Sequence, residues 1–280
     1  MKVESALNVI HRRILGAEAK TATVGVRHES GVVSQRLRAN AAALKFRNNV
    51  LSLGDDHLVK RVYVGLRDDR GRLGAGASRN GARWLEKLAA DANWSGVILG
   101  KADVKEKARE YAFTRQARAF ATESAGMRTL VVYAEQLTSE TRRGLPEYLG
   151  RTCPAGLRHG RRLKTKLRLG VHQLQESLAR MIPRQIRTPA HSRCKCCSAG
   201  VAETPKHALF ECSCYAGDRR AFLEHAKRVH PDFGQMSTDA KLRLLLSENT
   251  PKNIDNYLYR FLIQLFSSRE RRLASGLARG

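Results

Sequence analysis

Five of the chain's six cysteines fall within 193–214, RCKCCSAGVAETPKHALFECSC, and His207 lies among them. Thiolates and an imidazole at such spacing are the ligands of a tetrahedral metal site. Cys194 and Cys197 have the Cys-x2-Cys spacing that a tight turn aims at one point. His207 and Cys212 can supply a second pair, giving Cys194-x2-Cys197-x9-His207-x4-Cys212. The intervening SAGVAETPK contains Gly200 and Pro205 and can fold back, with a short helical turn over 205–211 carrying His207 and Cys212 following at its end. Four protein ligands leave no position for water, so the expected cofactor is one structural Zn²⁺ whose binding energy is folding energy. Cys196 or Cys214 could replace a named ligand, and His191 is a spare. A disulfide reading requires an oxidising compartment. The opening residues MKVESALNVIHRR lack the apolar run of an export signal. Cys153 is remote and is expected in the core.

The charge suggests what such a staple would serve. The chain of 280 residues carries 51 Lys and Arg against 26 Asp and Glu, a formal +25. Self-repulsion on that scale favours a polyanionic partner, and nucleic acid is the natural one, with an anionic membrane or a simple solvated surface as alternatives. From Arg151 to Arg193 there are eleven Lys and Arg and one acid, Glu176, a net +10. Leu163, Leu167, Leu174, Leu178 and Ile182 run through the same segment, so it can fold and still present cations. The candidate nucleic-acid contacts are Arg158, Arg161, Arg162, Lys164, Lys166 and Arg168. Tyr215 and His172 are the candidates for stacking on bases, and nothing in the sequence separates RNA from DNA. No window has the apolar length of a membrane span; LVVYA at 130–134 is typical of the best. The expectation is an intracellular protein of the nucleus or of a cytoplasmic ribonucleoprotein.

The elements that must position these residues read as helices. The fold class expected is mainly α: a bundle-like N-terminal part, a small irregular CCHC knuckle and C-terminal helices. The expected divisions are 1–125, a basic helical segment 126–190, the knuckle 191–215 and helices over 216–280. Val3, Leu7, Ile10 and Ile14 form a stripe over 3–15, and Val33, Leu37, Ala41 and Leu44 another over 32–53. Asp55 or Asp56 is expected to cap a helix over 55–66. The stretch 67–81 reads as a loop and 82–92 as a helix with Trp84, Leu85 and Leu88 inward. The longest helical pattern is 102–123, and TLVVYA at 129–134 suits a strand or a short helix. Further on, 215–229 is amphipathic, HPDF at 230–233 reads as a turn, and Ser237 caps 237–247. Thr250 caps a last helix with Pro251 at its first position and Ile254, Leu258, Phe261, Leu262 and Leu265 inward.

The run RRLKTKLRLGVHQL (161–174), the Cys-x2-Cys pair, HALFEC (207–212) and the helix beginning YAGDRRAFL together resemble the C-terminal end of non-LTR retrotransposon reverse transcriptases. LRANAAALKFRNNVLSLGDDHLVKRVY (37–63) is similar to the helical region that follows their polymerase palm. The resemblance covers about 30–270 and is strongest at 160–222. It implies a thumb or connector, a CCHC zinc knuckle, template RNA or target DNA as partner, and the remainder of a retroelement polyprotein as a possible companion. A polymerase needs palm carboxylates for Mg²⁺. LGDD at 53–56 lacks the preceding aromatic residue and a partner strand, and no nuclease acid-and-lysine strand follows HPDF. The chain is therefore expected to have no polymerase or nuclease activity of its own. Two other readings are a sequence-specific zinc-finger DNA-binding regulator and a nonfunctional retroelement remnant.

Overall fold

The structure is a computed structural model and describes residues 2–19, 21–68, 77–127, 130, 133 and 145–275. It is mainly α, as the periodicity predicts. Among the described residues there is no strand, only one isolated antiparallel bridge between Arg193 and Ala202. The helices are α1 (Lys2–Leu15), α2 (Thr23–Ser30), α3 (Gln35–Leu51), α4 (Leu58–Asp68), α5 (Ala77–Asp91), α6 (Lys101–Ser124), α7 (Glu147–Gly150), α8 (Arg158–Arg168), α9 (Gln175–Arg180), α10 (Ala216–Val229), α11 (Thr238–Leu246) and α12 (Lys252–Ala274).

The chain forms two compact units, one of Val33–Ala119 and one joining Met1–Val32 to Phe120–Gly280. This differs from the four consecutive segments expected. The first two helices belong with the C-terminal part because α1 packs on α2 and α8, and Val24 of α2 shares a core with Leu163, Leu167 and Phe222.

In the smaller unit, Ser34 caps α3 by accepting from the Leu37 amide at 3.3 Å. The predicted stripe of Val33, Leu37, Ala41 and Leu44 is buried against Leu88, Ala89 and Trp94. Trp84 is 47 % exposed rather than inward; Trp94, just past the end of α5, takes the core position. The Arg47 guanidinium, buried beneath it, pairs with Glu86 at 2.7 Å, and the Tyr63 hydroxyl donates to the same carboxylate at 2.6 Å. The cap of α4 is not an aspartate: the Val59 amide donates to His57 Nδ1 at 3.2 Å, while Asp55 pairs with Lys60 at 2.8 Å. The loop expected over 67–81 falls largely outside the described residues, and α5 begins at Ala77 within it.

The larger unit is organised around α8 against α12. Gly160 makes this possible: a Cβ there would lie 2.3 Å from the Tyr259 carbonyl oxygen, so only glycine permits the approach. The α12 stripe of Ile254, Leu258, Phe261, Leu262 and Leu265 is buried as its spacing predicts, with Phe261 stacked on Phe222 of α10 at 5.1 Å between centroids. Ser237 caps α11, accepting from Ala240 N at 3.2 Å. Thr250 does not cap α12; its hydroxyl turns back to the Leu244 carbonyl at 2.7 Å and closes the end of α11. HPDF forms a short turn that buries Phe233. The α1 stripe stays largely in solvent, with Ile10 50 % and Ile14 66 % exposed. The possible strand at 129–134 lies mostly outside the described residues; Leu130 and Tyr133 are described, and both are buried.

Candidate metal centre

The cysteine segment folds locally as its composition demands. The Cys194 amide donates to the Val201 carbonyl and the Glu203 amide to the Ser192 carbonyl, each at 2.8 Å. These bonds close a hairpin, and Gly200 turns it with a left-handed φ of 67°. After Pro205 the chain makes one π-helical turn, His207–Glu211, in which the Cys212 amide donates to the His207 carbonyl at 2.7 Å. That single wide turn, begun by the Thr204 hydroxyl accepting from the His207 amide at 3.0 Å, brings Cys212 back over the hairpin.

The result is convergence. One ligand atom from each of Cys194, Cys197, His207 and Cys212 lies within 4.8 Å of every other, and all four residues are buried. Cys197 Sγ is 3.3 Å from His207 Nε2, and Cys194 Sγ is 4.0 Å from Cys212 Sγ. A tetrahedron with metal–sulfur bonds of about 2.3 Å and metal–nitrogen bonds of about 2.1 Å has edges of roughly 3.6–3.8 Å. The four residues could therefore hold a metal ion with small adjustments.

Two further observations fit a cation at their centre. His207 Nδ1 is buried without a hydrogen-bond partner among the described residues, and a Glu211 carboxylate oxygen lies 3.7 Å from it, near enough to orient the ring electrostatically when Nε2 is a ligand. The thiols also conflict with one another. The Cys196 and Cys212 thiols donate to Cys194 and pull its pKa far down, and the Cys194 thiolate together with burial pushes Cys212 far up. Cys197 is raised, chiefly by burial. Three buried thiols this close oppose one another's ionisation; a divalent cation among them favours three thiolates.

The spare ligands are otherwise engaged. Cys196 Sγ accepts from the buried Tyr215 hydroxyl at 3.0 Å, and Cys214 Sγ donates to the Cys196 carbonyl. His191 is exposed and its Nδ1 accepts from the Thr188 amide at 3.0 Å. Cys153 is not a core residue; it is half-buried, its thiol facing the Pro154 carbonyl at 3.6 Å.

Residues whose anchoring role the sequence does not show tie this hairpin to the helices. The Glu203 carboxylate, wholly buried, takes two bonds from Arg269 of α12, each at 2.8 Å, and one from the Gln175 amide at the start of α9, also at 2.8 Å. Arg219 of α10 donates to the Cys212 carbonyl, and Arg272 donates to that of Cys214 at 3.3 Å. One signal was present: Glu203 is the single acid between Glu176 and Glu211 in a strongly basic stretch.

The six candidate contact residues divide by helix face. Arg158 and Arg162 are exposed and Lys166 is half-buried, so positions i, i+4 and i+8 form one outward row. Arg161 is half-buried and donates to the Arg151 carbonyl at 3.1 Å. Lys164 and Arg168 correct the expectation. Lys164 is 0 % exposed, bonded to Asp255 at 2.7 Å and Thr250 at 2.9 Å, and burial lowers its pKa to about 8 against the pull of Asp255. Arg168, fully buried, forks onto Glu29 at 2.6 and 3.1 Å and lies over the Tyr133 and Tyr148 rings. Burial opposes its charge, but Glu29 and the tyrosines hold it protonated. These two cations are consumed by the fold and cannot reach a phosphate. Tyr215 and His172, 0 % and 3 % exposed, are likewise not available to stack on bases.

Compared with known protein families, with curated proteins and with solved structures, the chain matches none. Among the described residues no helix is long and apolar enough to cross a membrane.

Proposed function

We propose that this protein is a zinc-stapled nucleic-acid-binding module that resembles the region following the palm in non-LTR retrotransposon reverse transcriptases and has no polymerase or nuclease chemistry of its own. The carrying observation is the buried convergence of Cys194, Cys197, His207 and Cys212. Three thiolates with one imidazole are a donor set that suits Zn²⁺, and four protein ligands make it structural. The ion fixes the hairpin, and Glu203 and Arg219 connect that hairpin to α9, α10 and α12, against which α8 packs. The outward row Arg158, Arg162 and Lys166 is the surface that meets phosphates, of template RNA or of target DNA. The exposure of Asp55 and Asp56, with Asp55 held by Lys60, supports a turn rather than a catalytic pair.

The test is binding of RNA and DNA to the purified chain across a salt series. For Z phosphate contacts, log affinity falls against log salt with a slope of about −0.9Z on duplex and about −0.7Z on a single strand. Replacing Arg158, Arg162 and Lys166 together by Gln should remove about three contacts' worth of slope, roughly 2 to 3 units. A triple variant with the parent's affinity and slope overturns the assignment of this face.

A further inference from the structure

Beside α8 lies a cleft of about 350 Å³, a size within the range of small-ligand sites. Its lining joins aliphatic Ile14, Val32 and Leu149 to Arg158, Arg161 and Arg162, with His11, Ser30 and Thr165 between them, and among the described residues no acid lines it. Ile14, the last exposed residue of α1, leaves a large aliphatic side chain in water at this cleft. Gly16, with φ 67°, lets the Arg162 stem pack directly on the end of α1; a Cβ there would sit 3.0 Å from Arg162 Cδ. Arg161 spends donors on the Arg151 and Leu149 carbonyls, which fixes its stem, and its guanidinium has others.

An apolar slot bordered by three guanidiniums fits an amphiphilic anion. The cations also continue beyond the slot. Arg158, Arg162 and Lys166 follow one another along α8 at a rise of about 6 Å per step, so the matching anion is a chain of charges rather than a single one. We propose that the cleft receives the unpaired terminal nucleotide of a single strand, its base against Ile14, Val32 and Leu149 and its phosphate on the arginines, with the strand continuing along α8. This rests on the nucleic-acid reading above and narrows it to a single-stranded end. A blunt duplex presents no free base to insert without first unpairing it.

The experiment compares a short labelled oligothymidylate with a blunt duplex of equal phosphate number, using the full chain. The strand should bind at least about fivefold more tightly, the effect of burying one base face against aliphatic side chains. Ile14→Gln wets the wall and Ser30→Leu fills the slot; each should erase that preference while leaving duplex affinity and salt slope unchanged. Ile14 is exposed enough for its variant to keep the parent's fold, checked by thermal melting. Thymidine, which has no phosphate to compete for the arginines shared with the duplex, should weaken strand binding and leave duplex binding unchanged. Equal binding of strand and duplex by the parent, or a preference that survives both variants, overturns the cleft proposal while leaving the cationic row intact. Absence of salt-dependent binding to either ligand overturns both readings.

Discussion

The cysteine hairpin and the α8–α12 interface both bury polar groups, and they do so in opposite ways. The hairpin gathers like with like: three thiols and an imidazole, all buried, whose ligand atoms lie within 4.8 Å of one another. The interface pairs unlike charges, Lys164 with Asp255 at 2.7 Å, and next to it Arg168 with Glu29 at 2.6 Å. A cluster of like ligands is stable only with a third component; an ion pair with satisfied hydrogen bonds carries its own compensation. On the proposed reading the first region depends on a metal for its stability, whereas the compensation in the second is built into the chain.

Withdrawing the metal should produce the largest effect. Ligation of a structural Zn²⁺ contributes on the order of 10 kcal/mol at neutral pH. A strong chelator, or Cys212→Ser, should lower the midpoint of thermal unfolding by more than about 10 °C. Cys153→Ser and Cys214→Ser should leave both the midpoint and the metal content, one ion per chain, as in the parent. Loss of metal from the Cys214 variant would mean that the ligand set is wrong.

The interface answers to a different change. Arg168→Met takes the guanidinium away from the buried Glu29 carboxylate and should cost about 3–5 kcal/mol in denaturant unfolding, the usual cost of removing one member of a buried pair. Metal content should not move. Adding Glu29→Leu should recover part of the loss by removing the uncompensated carboxylate, and not all of it, because the buried Tyr133 and Tyr148 hydroxyls donate to Glu29 and lose that acceptor. A single variant as mild as the double would show that the pair does not hold this region.

The two regions also differ in how far the sequence reveals them. Ligand spacing is a local property: Cys-x2-Cys and His-x4-Cys are each set by a turn, and Gly200 and Pro205 mark where the chain folds back, so the four residues are legible before folding. The faces of α8 are not local. Arg162 and Lys164 look alike in a basic run, and what separates them is Asp255 and Glu29, 91 and 139 residues distant from Lys164 and Arg168. Gly160 reads as an indifferent residue until Tyr259 is brought against it. The stripes of α3 and α12 are legible because each buries one face with the helical period; that of α1 misleads, since Ile10 and Ile14 keep the period and remain exposed. Composition gave the net charge, but only tertiary contacts decide which cations are left for a partner.

The last and smallest effect separates the regions by acid. On the proposed reading, acid should weaken the hairpin, because protons compete with a metal for thiolates. It should weaken the helical region through His172, which is 3 % exposed and has a buried Nδ1 without a hydrogen-bond partner among the described residues. Burial, with lesser contributions from Arg180 and Arg269, lowers the His172 pKa to about 3. The unfolded chain therefore binds more protons than the folded one between about pH 6.5 and pH 3, and stability rises with pH through that window. Below about pH 6.5 this one group should cost about 1.4 kcal/mol per pH unit, roughly 2 kcal/mol on going from pH 7 to pH 5. His172→Leu removes this contribution and leaves the four metal ligands in place. The stability of the variant relative to the parent should then grow by that amount as the pH falls from 7 to 5, because metal loss affects both chains equally and cancels. A difference that stays constant across this range would assign the acid sensitivity to the thiolate cluster alone.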